Sequence, residues 1–259
     1  MTYLQFHLVF ILPPLILLAL SRPWRGTGRG TAKFLPLLAL IAFVYTTPWD
    51  NYLVWRGVWG YGTERVIGVI GYVPVEEYLF FILQPFLTGL WLYLVLGRMP
   101  DRPAALAPER AWRVRVAGAV IYLVIAGAGA GLLFTTPGTY MGLILFWAAP
   151  VLAGQWAYAG HRMAEHARPA LIGLAVPTLY LWVADAVAIR LGIWEISERF
   201  TLGPRPFGLP LEEATFFLIT NLLVVQGLLL FLHPPGGRPR VELERVSVAA
   251  AVRAGEIDA

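Results

Sequence analysis

The chain has 259 residues, of which 58% are hydrophobic and only 14% charged, with a formal net charge of +4. A soluble domain carries charge on about a quarter of its residues, so this chain lacks the polar surface to face water, and lipid is its expected solvent. Cysteine is absent, which excludes disulfides and thiolate metal sites.

Seven apolar stretches approach the roughly 20 residues that a helix needs to cross a bilayer. They are Tyr3–Leu20, Phe34–Tyr52, Val75–Leu96, Val114–Phe134, Tyr140–Tyr158, Ala170–Ile189 and Leu211–Leu232. The first has no basic n-region and no small-residue cleavage site, so it reads as a retained span rather than a signal peptide. The runs are long and do not alternate, which favours helices over barrel strands. Tyr and Trp gather near span ends (Tyr45, Trp49, Tyr52, Trp55, Trp59, Tyr61), as interfacial belts do. The expected fold is all-α, a polytopic membrane protein of seven transmembrane helices.

Basic residues set the orientation. Arg22, Arg25, Arg29 and Lys33 follow span one; Arg98, Arg102, Arg110, Arg113 and Arg115 follow span three; Arg162 and Arg168 follow span five. Arg238, Arg240, Arg245 and Arg253 lie in a Pro-, Gly-, Arg- and Glu-rich tail over 234–259, whereas the other side has only Arg56, Arg65, Arg190, Arg199 and Arg205. The positive-inside rule then places the C-terminus and tail in the cytoplasm, the N-terminus outside, and the loops after spans two and six on the outer face. The positive charge is thus a topology signal, and no nucleic-acid partner is expected.

Self-comparison exposes a repeat. Asp50 precedes Trp59 by nine residues, as Asp185 precedes Trp194, and Gly57 matches Gly192. Further on, Pro74-Val75-Glu76-Glu77-Tyr78-Leu79-Phe80-Phe81 matches Pro210-Leu211-Glu212-Glu213-Ala214-Thr215-Phe216-Phe217. Each half holds three spans, and an odd number would invert the second copy if the two were fused directly. Span four restores the orientation, so the expected plan is 3 + 1 + 3 with parallel repeats. The boundaries are a first three-helix repeat over 1–97, a cytosolic loop and linker helix over 98–137, and a second repeat over 138–233.

Proline suits the first turn of a helix, which puts Glu76 and Glu77 in the first turn of span three and Glu212 and Glu213 in that of span seven. Neighbours on a helix diverge by about 100°, so Glu76 shares a face with Phe80, and Glu77 with Phe81 and Gln84. These acids would complement the helix dipole in any case. Four in matching places exceed that need, and acids inside spans are usually functional. Paired carboxyls in low dielectric cannot both ionise readily, so one is expected to hold a proton unless a cation such as Arg56, Arg65, Arg190 or Arg205 makes contact. A protonated carboxyl beside aromatic rings suits protonation of an alkene in a greasy substrate. Asp50 and Asp185 end the preceding spans and either relay a proton or satisfy loop amides. Trp59 and Trp194 are either interfacial anchors or substrate walls. The Gly26-Thr27-Gly28-Arg29-Gly30 run lacks dinucleotide-loop spacing, and His161 and His166, five apart, share no helical face, so no metal or nucleotide cofactor is expected.

With these motifs the chain resembles the small membrane lycopene cyclases of carotenoid synthesis, in which the two halves occur separately or fused. The resemblance covers nearly all of 1–232. It rests on Thr47-Pro48-Trp49-Asp50-Asn51-Tyr52, on Asp185 to Trp194 and on both Pro-x-Glu-Glu motifs, although Ala186 replaces Asn51 in the second half. It implies a redox-neutral ring closure at the ψ-end of lycopene: protonation at C2, attack of the 5,6-alkene on the C1 cation, and proton loss from C6 to give a β-ring. No cofactor is implied. Lycopene dissolved in membrane lipid is the implied substrate, and other carotenoid-pathway enzymes are candidate partners. Glu76 and Glu212 are expected as the principal acid/base pair, Glu77 and Glu213 as tuning partners, Asp50 and Asp185 as support, and Phe80, Phe81, Phe216, Phe217, Trp59 and Trp194 as the substrate wall. A carotenoid hydratase, a cyclase forming another ring type (C50 carotenoids included) and a proton-coupled transporter remain as alternatives. A retinal-binding photoreceptor is excluded, since the only lysine is Lys33, in a loop.

Overall fold

A computed structural model describes residues 1–28, 30–99 and 105–235. The expected cytosolic tail beyond 235, with its four arginines, and Arg29 and Arg102 lie outside the described residues. Within them are seven helices long and apolar enough to cross a membrane: α1 Tyr3–Leu20, α2 Phe34–Trp55, α3 Val75–Arg98, α4 Pro108–Leu132, α5 Thr139–Glu165, α6 Ala167–Arg190 and α7 Leu211–Leu232. Each expected span is present. Five run longer than their apolar cores, α5 by the most, because a helix keeps satisfying its own backbone beyond the hydrocarbon. Pro108 opens α4 as its first helical residue, and α5 continues through a kink at Ala159. In α1, a π-helical turn at His7–Ile11 precedes Leu12-Pro13-Pro14, where two residues lack the amide donor.

The outward faces are apolar. Leu17, Leu20, Val44, Val124 and Val183 are each more than 60% exposed, which only a lipid surround would tolerate in such number. The most enclosed helices are α3 and α7, which carry the two Pro-x-Glu-Glu motifs, whereas α4 is the most peripheral. The seat of α4 is on α5, and glycine brings the two backbones together: a Cβ on Gly129 would stand 2.8 Å from the amide nitrogen of Phe146.

The ends of α2 and α6 are built alike. Gly57 (φ +71°) and Gly192 (φ +61°) terminate them in the left-handed conformation. Val58 N donates to Leu53 O and Ile193 N to Ala188 O, both at 3.0 Å, the long bond of a Schellman cap. Val58 and Ile193 are then fully buried. Each chain continues into a short strand, β1 Trp59–Tyr61 and, after α6, β4 Trp194–Ile196. These two pair antiparallel, Trp59 opposite Ile196 and Tyr61 opposite Trp194. The loop of one half therefore clasps the loop of the other. Between them in sequence, β2 Val69–Ile70 and β3 Val73–Pro74 form a hairpin that leads into α3. Its turn residue Gly71 (φ +66°) lies where a Cβ would strike Asn51 Oδ1 at 2.5 Å.

Pro74 and Pro210 are the N-cap residues of α3 and α7, one position before the first turn in which they were expected. Their extended ψ (147° and 140°) lets the strand-like approach turn into helix at that point, and the glutamates still fall in the first turn.

A β-branched side chain at φ near +60° is strongly disfavoured. Gly57→Val and Gly192→Val are each expected to destabilise the protein by about 1–2 kcal/mol or more, read as a lower unfolding temperature in detergent. Gly154→Ala, with open space around its Cβ, should leave that temperature unchanged.

Candidate active site

All four motif glutamates are buried, Glu76 and Glu212 completely and Glu77 and Glu213 to 4% and 2% exposure. Among the described residues the ion pairs are Arg162–Glu165 and Arg205–Glu198, so no guanidinium neutralises them. What replaces a cation differs within each pair.

The first glutamate of each motif holds its own loop. Glu76 Oε1 accepts from the amide of Ile67 at 2.8 Å, and Glu212 Oε1 from the amide of Leu202 at 2.6 Å. In both, the second oxygen is buried without a protein partner. The second glutamate takes phenols. Glu77 Oε2 accepts from Tyr3 Oη at 2.5 Å and from Tyr61 Oη at 3.0 Å, and Glu213 Oε1 accepts from Tyr140 Oη at 2.6 Å. Adjacent positions on a helix point in different directions, and here one direction is the loop and the other a cavity.

That cavity lies between α1, α3, α6, α7 and the clasped strands. Glu77, Asp185 and Glu213 line it; Glu76 and Glu212 do not. Its other walls are aromatic: Phe80, Phe216, Phe217, Trp59 and Trp194 from the expected set, with Tyr3, Phe6 and Tyr61 added. The rings brace one another edge-on, Phe80 against Phe217 at 6.0 Å and Trp59 against Phe216 at 5.8 Å. Phe81 lies outside this cavity. It lines a larger apolar groove of about 690 Å³ between α2, α3, α5 and α7, which shares Phe80 and Phe216 with the carboxyl cavity. Ile41 and Tyr45, 48% and 39% exposed, stand at the lipid side of the groove. Tyr45 is held there by a 2.8 Å bond to the carbonyl of Trp147 and by stacking on its ring. Deeper in the bundle, Asn221 joins α7 to α3 and α6 through Gln84, Thr88 and Thr178.

The two aspartates differ. Asp185 Oδ1 accepts from the indole of Trp194 at 2.9 Å, and its other oxygen has no protein partner. Asp50 is fully buried, with neither oxygen meeting a donor. It lies outside the cavity lining but near enough to act on Tyr61. Burial, then the charges of Glu77 and Asp50, hold the Tyr61 phenol well above the ordinary tyrosine range, so it donates its hydrogen bond at any ordinary pH. Asn51 is a scaffold residue: its amide joins the carbonyl of Thr47, the hydroxyl of Tyr78 and the amide of Tyr72, tying α2 to the β2–β3 hairpin. Ala186 stands where the second half needs no such tie.

Sequence reasoning missed Tyr3, Tyr61, Tyr140 and His7. A signal existed for two of them. Thr2-Tyr3 and Thr139-Tyr140 open the first span of each half, and each Tyr precedes its glutamate by 74 and 73 residues respectively. His7 had no counterpart to flag it: Ile144 occupies the matching place. Its Nε2 lies 2.8 Å from the carbonyl oxygen of Glu76, which can only accept, so that nitrogen carries the hydrogen.

Removing a hydrogen bond to a charged acceptor costs about 1.5–3 kcal/mol, and less where the amide, as here, is only partly buried. Glu76→Leu and Glu212→Leu should therefore lower thermal stability and open the loops to protease. Glu76→Gln, which keeps an acceptor oxygen for Ile67 N, should not.

The sequence profile of the family described as lycopene cyclase matches residues 1–96 and 137–231, leaving out the connector and all of α4. A lycopene beta-cyclase of Halobacterium salinarum is 43% identical over 232 residues, 89% of this chain and 95% of that protein. A bifunctional lycopene cyclase/phytoene synthase of Pyrenophora tritici-repentis is 40% identical over 88% of this chain but only 41% of its own length. One of Aspergillus niger is 39% identical over 74% of this chain. No solved structure matches. The chain belongs to the lycopene cyclase family.

Proposed function

We propose that this protein is a lycopene beta-cyclase, closing β-rings at the ψ-ends of lycopene by redox-neutral acid catalysis in the membrane. The observation that carries the reading is the meeting of Glu77 and Glu213, one from each motif, with Asp185 in a single buried cavity walled by aromatic rings. One glutamate delivers a proton to C2, and the C1=C2 electron pair forms the new C–H bond. The C5=C6 pair then closes the C1–C6 bond, and the cation at C5 is discharged when the C6–H pair becomes the ring alkene. The second glutamate takes that proton. Asp185, on the same cavity and with a free oxygen, returns it to the first, so no oxidant, reductant or added cofactor enters the balance.

The wall serves the cations. Aromatic faces attract positive charge by about 0.5–2 kcal/mol each when desolvated, and Phe80, Phe216, Phe217, Trp59 and Trp194 surround the acids on several sides. Exclusion of water favours ring closure over capture by hydroxide or water, which speaks for a cyclase over a hydratase. The rest of the polyene fits the apolar groove behind Phe80 and Phe216, with Phe81 along its wall and Ile41 and Tyr45 at the entrance from lipid. Glu77 and Glu213 thus become the principal acid/base pair in place of Glu76 and Glu212, which hold the loops. Asp50 supports the pair from beneath Tyr61.

The same reading includes the architecture. Matched caps, matched loop anchors and matched phenols support two parallel three-helix repeats (1–97 and 138–233) joined by a connector and linker helix over 98–137, with a cytosolic tail after 233. A family profile that matches on both sides of α4 supports it too. The basic connectors support a cytoplasmic C-terminus and an outward-facing lid. Other carotenoid-forming enzymes are the partners this substrate traffic would call for.

Co-expression with lycopene-forming enzymes should turn the pigment from red to orange-yellow, with β-carotene in the chromatogram. Glu77→Gln and Glu213→Gln should each leave lycopene unconverted, a loss of at least about 10²-fold as expected for a general acid or base, while Glu76→Gln retains most activity. Full conversion by both Glu77→Gln and Glu213→Gln would refute the reading.

A further inference from the structure

The two halves are not equivalent at the one place where equivalence would matter. Strand β1 reads Trp59-Gly60-Tyr61, and β4 reads Trp194-Glu195-Ile196. The first half therefore sets a second phenol on its cavity glutamate, and the second half sets isoleucine at the matching position. The outcome is two O–H donors converging on one oxygen, Glu77 Oε2, at 2.5 and 3.0 Å, against a single phenol on Glu213 at 2.6 Å. The two phenols come from different elements, one on α1 and one on the lid. Their rings also stack, with centroids 6.1 Å apart. Tyr3 is further packed against Trp194 at 4.9 Å. Glu77 is thus held at one oxygen by two mutually packed phenols, and Glu213 by one.

Hydrogen bonds from O–H donors favour a carboxyl in its proton-accepting, anionic form. A doubly held oxygen also has a fixed place, and place decides this chemistry. The ring cation at C5 can lose a proton from C6, from C4 or from the methyl on C5, giving the β-, ε- or γ-ring. The three hydrogens lie within a few bonds of one another, so the base must sit nearer to one than to the others. We infer that Glu77 is the base that takes the final proton, Glu213 the acid that gives the first, and that Tyr61 is a positioning residue that fixes Glu77 Oε2 and so determines ring type. The inference rests on the cyclase reading above.

The roles separate cleanly by variant. Tyr61→Phe removes one donor and keeps the ring, so the lid and its packing persist. Ring closure precedes loss of the proton, so cyclic products should still form, but the β share should fall relative to ε and γ rings. The ratio should move roughly tenfold, the scale set by one hydrogen bond to a charged group. Tyr3→Phe, which removes the other donor on the same oxygen, should move it in the same direction. Tyr140→Phe removes the phenol donor on the acid and keeps the ring that packs against Trp59, so it should slow conversion while leaving the ring ratio unchanged. A purely structural role for Tyr61 would lower total product without altering that ratio. The assay is wild type and three variants, co-expressed with lycopene-forming enzymes or reconstituted with lycopene in liposomes. Products are resolved by chromatography and counted per mole of monodisperse protein in detergent. A shift in ring ratio with Tyr61→Phe and Tyr3→Phe alone establishes the assignment. An unchanged ratio in both, a shift only with Tyr140→Phe, or no cyclic product from folded Tyr61→Phe and Tyr3→Phe overturns it. Wild type that leaves lycopene acyclic would instead refute the cyclase reading itself.

Discussion

The structure depends on burying carboxyls without giving them a cation. An ionised carboxylate moved alone into low dielectric is prohibitive, and the usual remedy, a guanidinium in contact, would hold the group ionised with no proton to give. Here the remedy is neutral donors. Backbone amides take one oxygen of Glu76 and Glu212, and phenols take Glu77 and Glu213. A neutral donor satisfies the oxygen in either protonation state of the other one. The arginines are kept at loop surfaces or spent on backbone carbonyls, as Arg65 is on Leu191 and Arg190 on Phe207. The site therefore stays poised for proton transfer, and the fold has to supply its stability elsewhere.

It does so by locking the two lids to each other. A short strand has little stability by itself, and β1 and β4 are three residues each. Their pairing brings Trp59, Tyr61 and Trp194 over the cavity from two distant parts of the chain, and Ser197 N adds a bond to Val58 O at 2.9 Å. The Schellman caps at Gly57 and Gly192 set the angle at which both strands leave their helices. The amides held by Glu76 and Glu212 fasten the far ends of the same loops to α3 and α7. Each motif thus has one glutamate that fastens its own loop and a neighbour that faces the cavity.

Much of this was legible in the residues. All seven spans came from hydropathy, because a bilayer sets both length and polarity. The sites of Glu77, Glu213 and Asp185 came from the repeat, because a duplicated pattern stands out against an apolar background. Pattern could not choose between Glu76 and Glu77. A step of about 100° decides which one meets the loop and which the cavity, and the direction of the cavity is a property of the packed bundle. Tyr61 was read as part of an interfacial belt, since a tyrosine at a span end has that role by default. Its contact with Glu77 exists only because β1 folds back under β4. The motif groups Phe81 with Phe80, yet the same helical step sends it to the apolar groove rather than the carboxyl cavity.

The two matching motifs give the site its matched acids, and on the proposed mechanism the differences between the halves give it a direction. Two identical halves would offer a proton symmetrically, with either glutamate giving or taking, and the cation would be quenched from whichever side was ionised. A cyclisation needs the reverse, with a full acid at one end of the nascent ring and an empty acceptor at the other. Few changes suffice to break the symmetry. Tyr61 against Ile196, His7 against Ile144 and Asn51 against Ala186 all add polar contacts to the first half alone. All three bear on Glu77, its helix or the hairpin that leads into it. The half that gained donors holds the better-anchored carboxyl, and the half that gained isoleucine and alanine keeps the freer one. On the proposed mechanism, the added phenol on Glu77 is what separates the two ends of the proton's path.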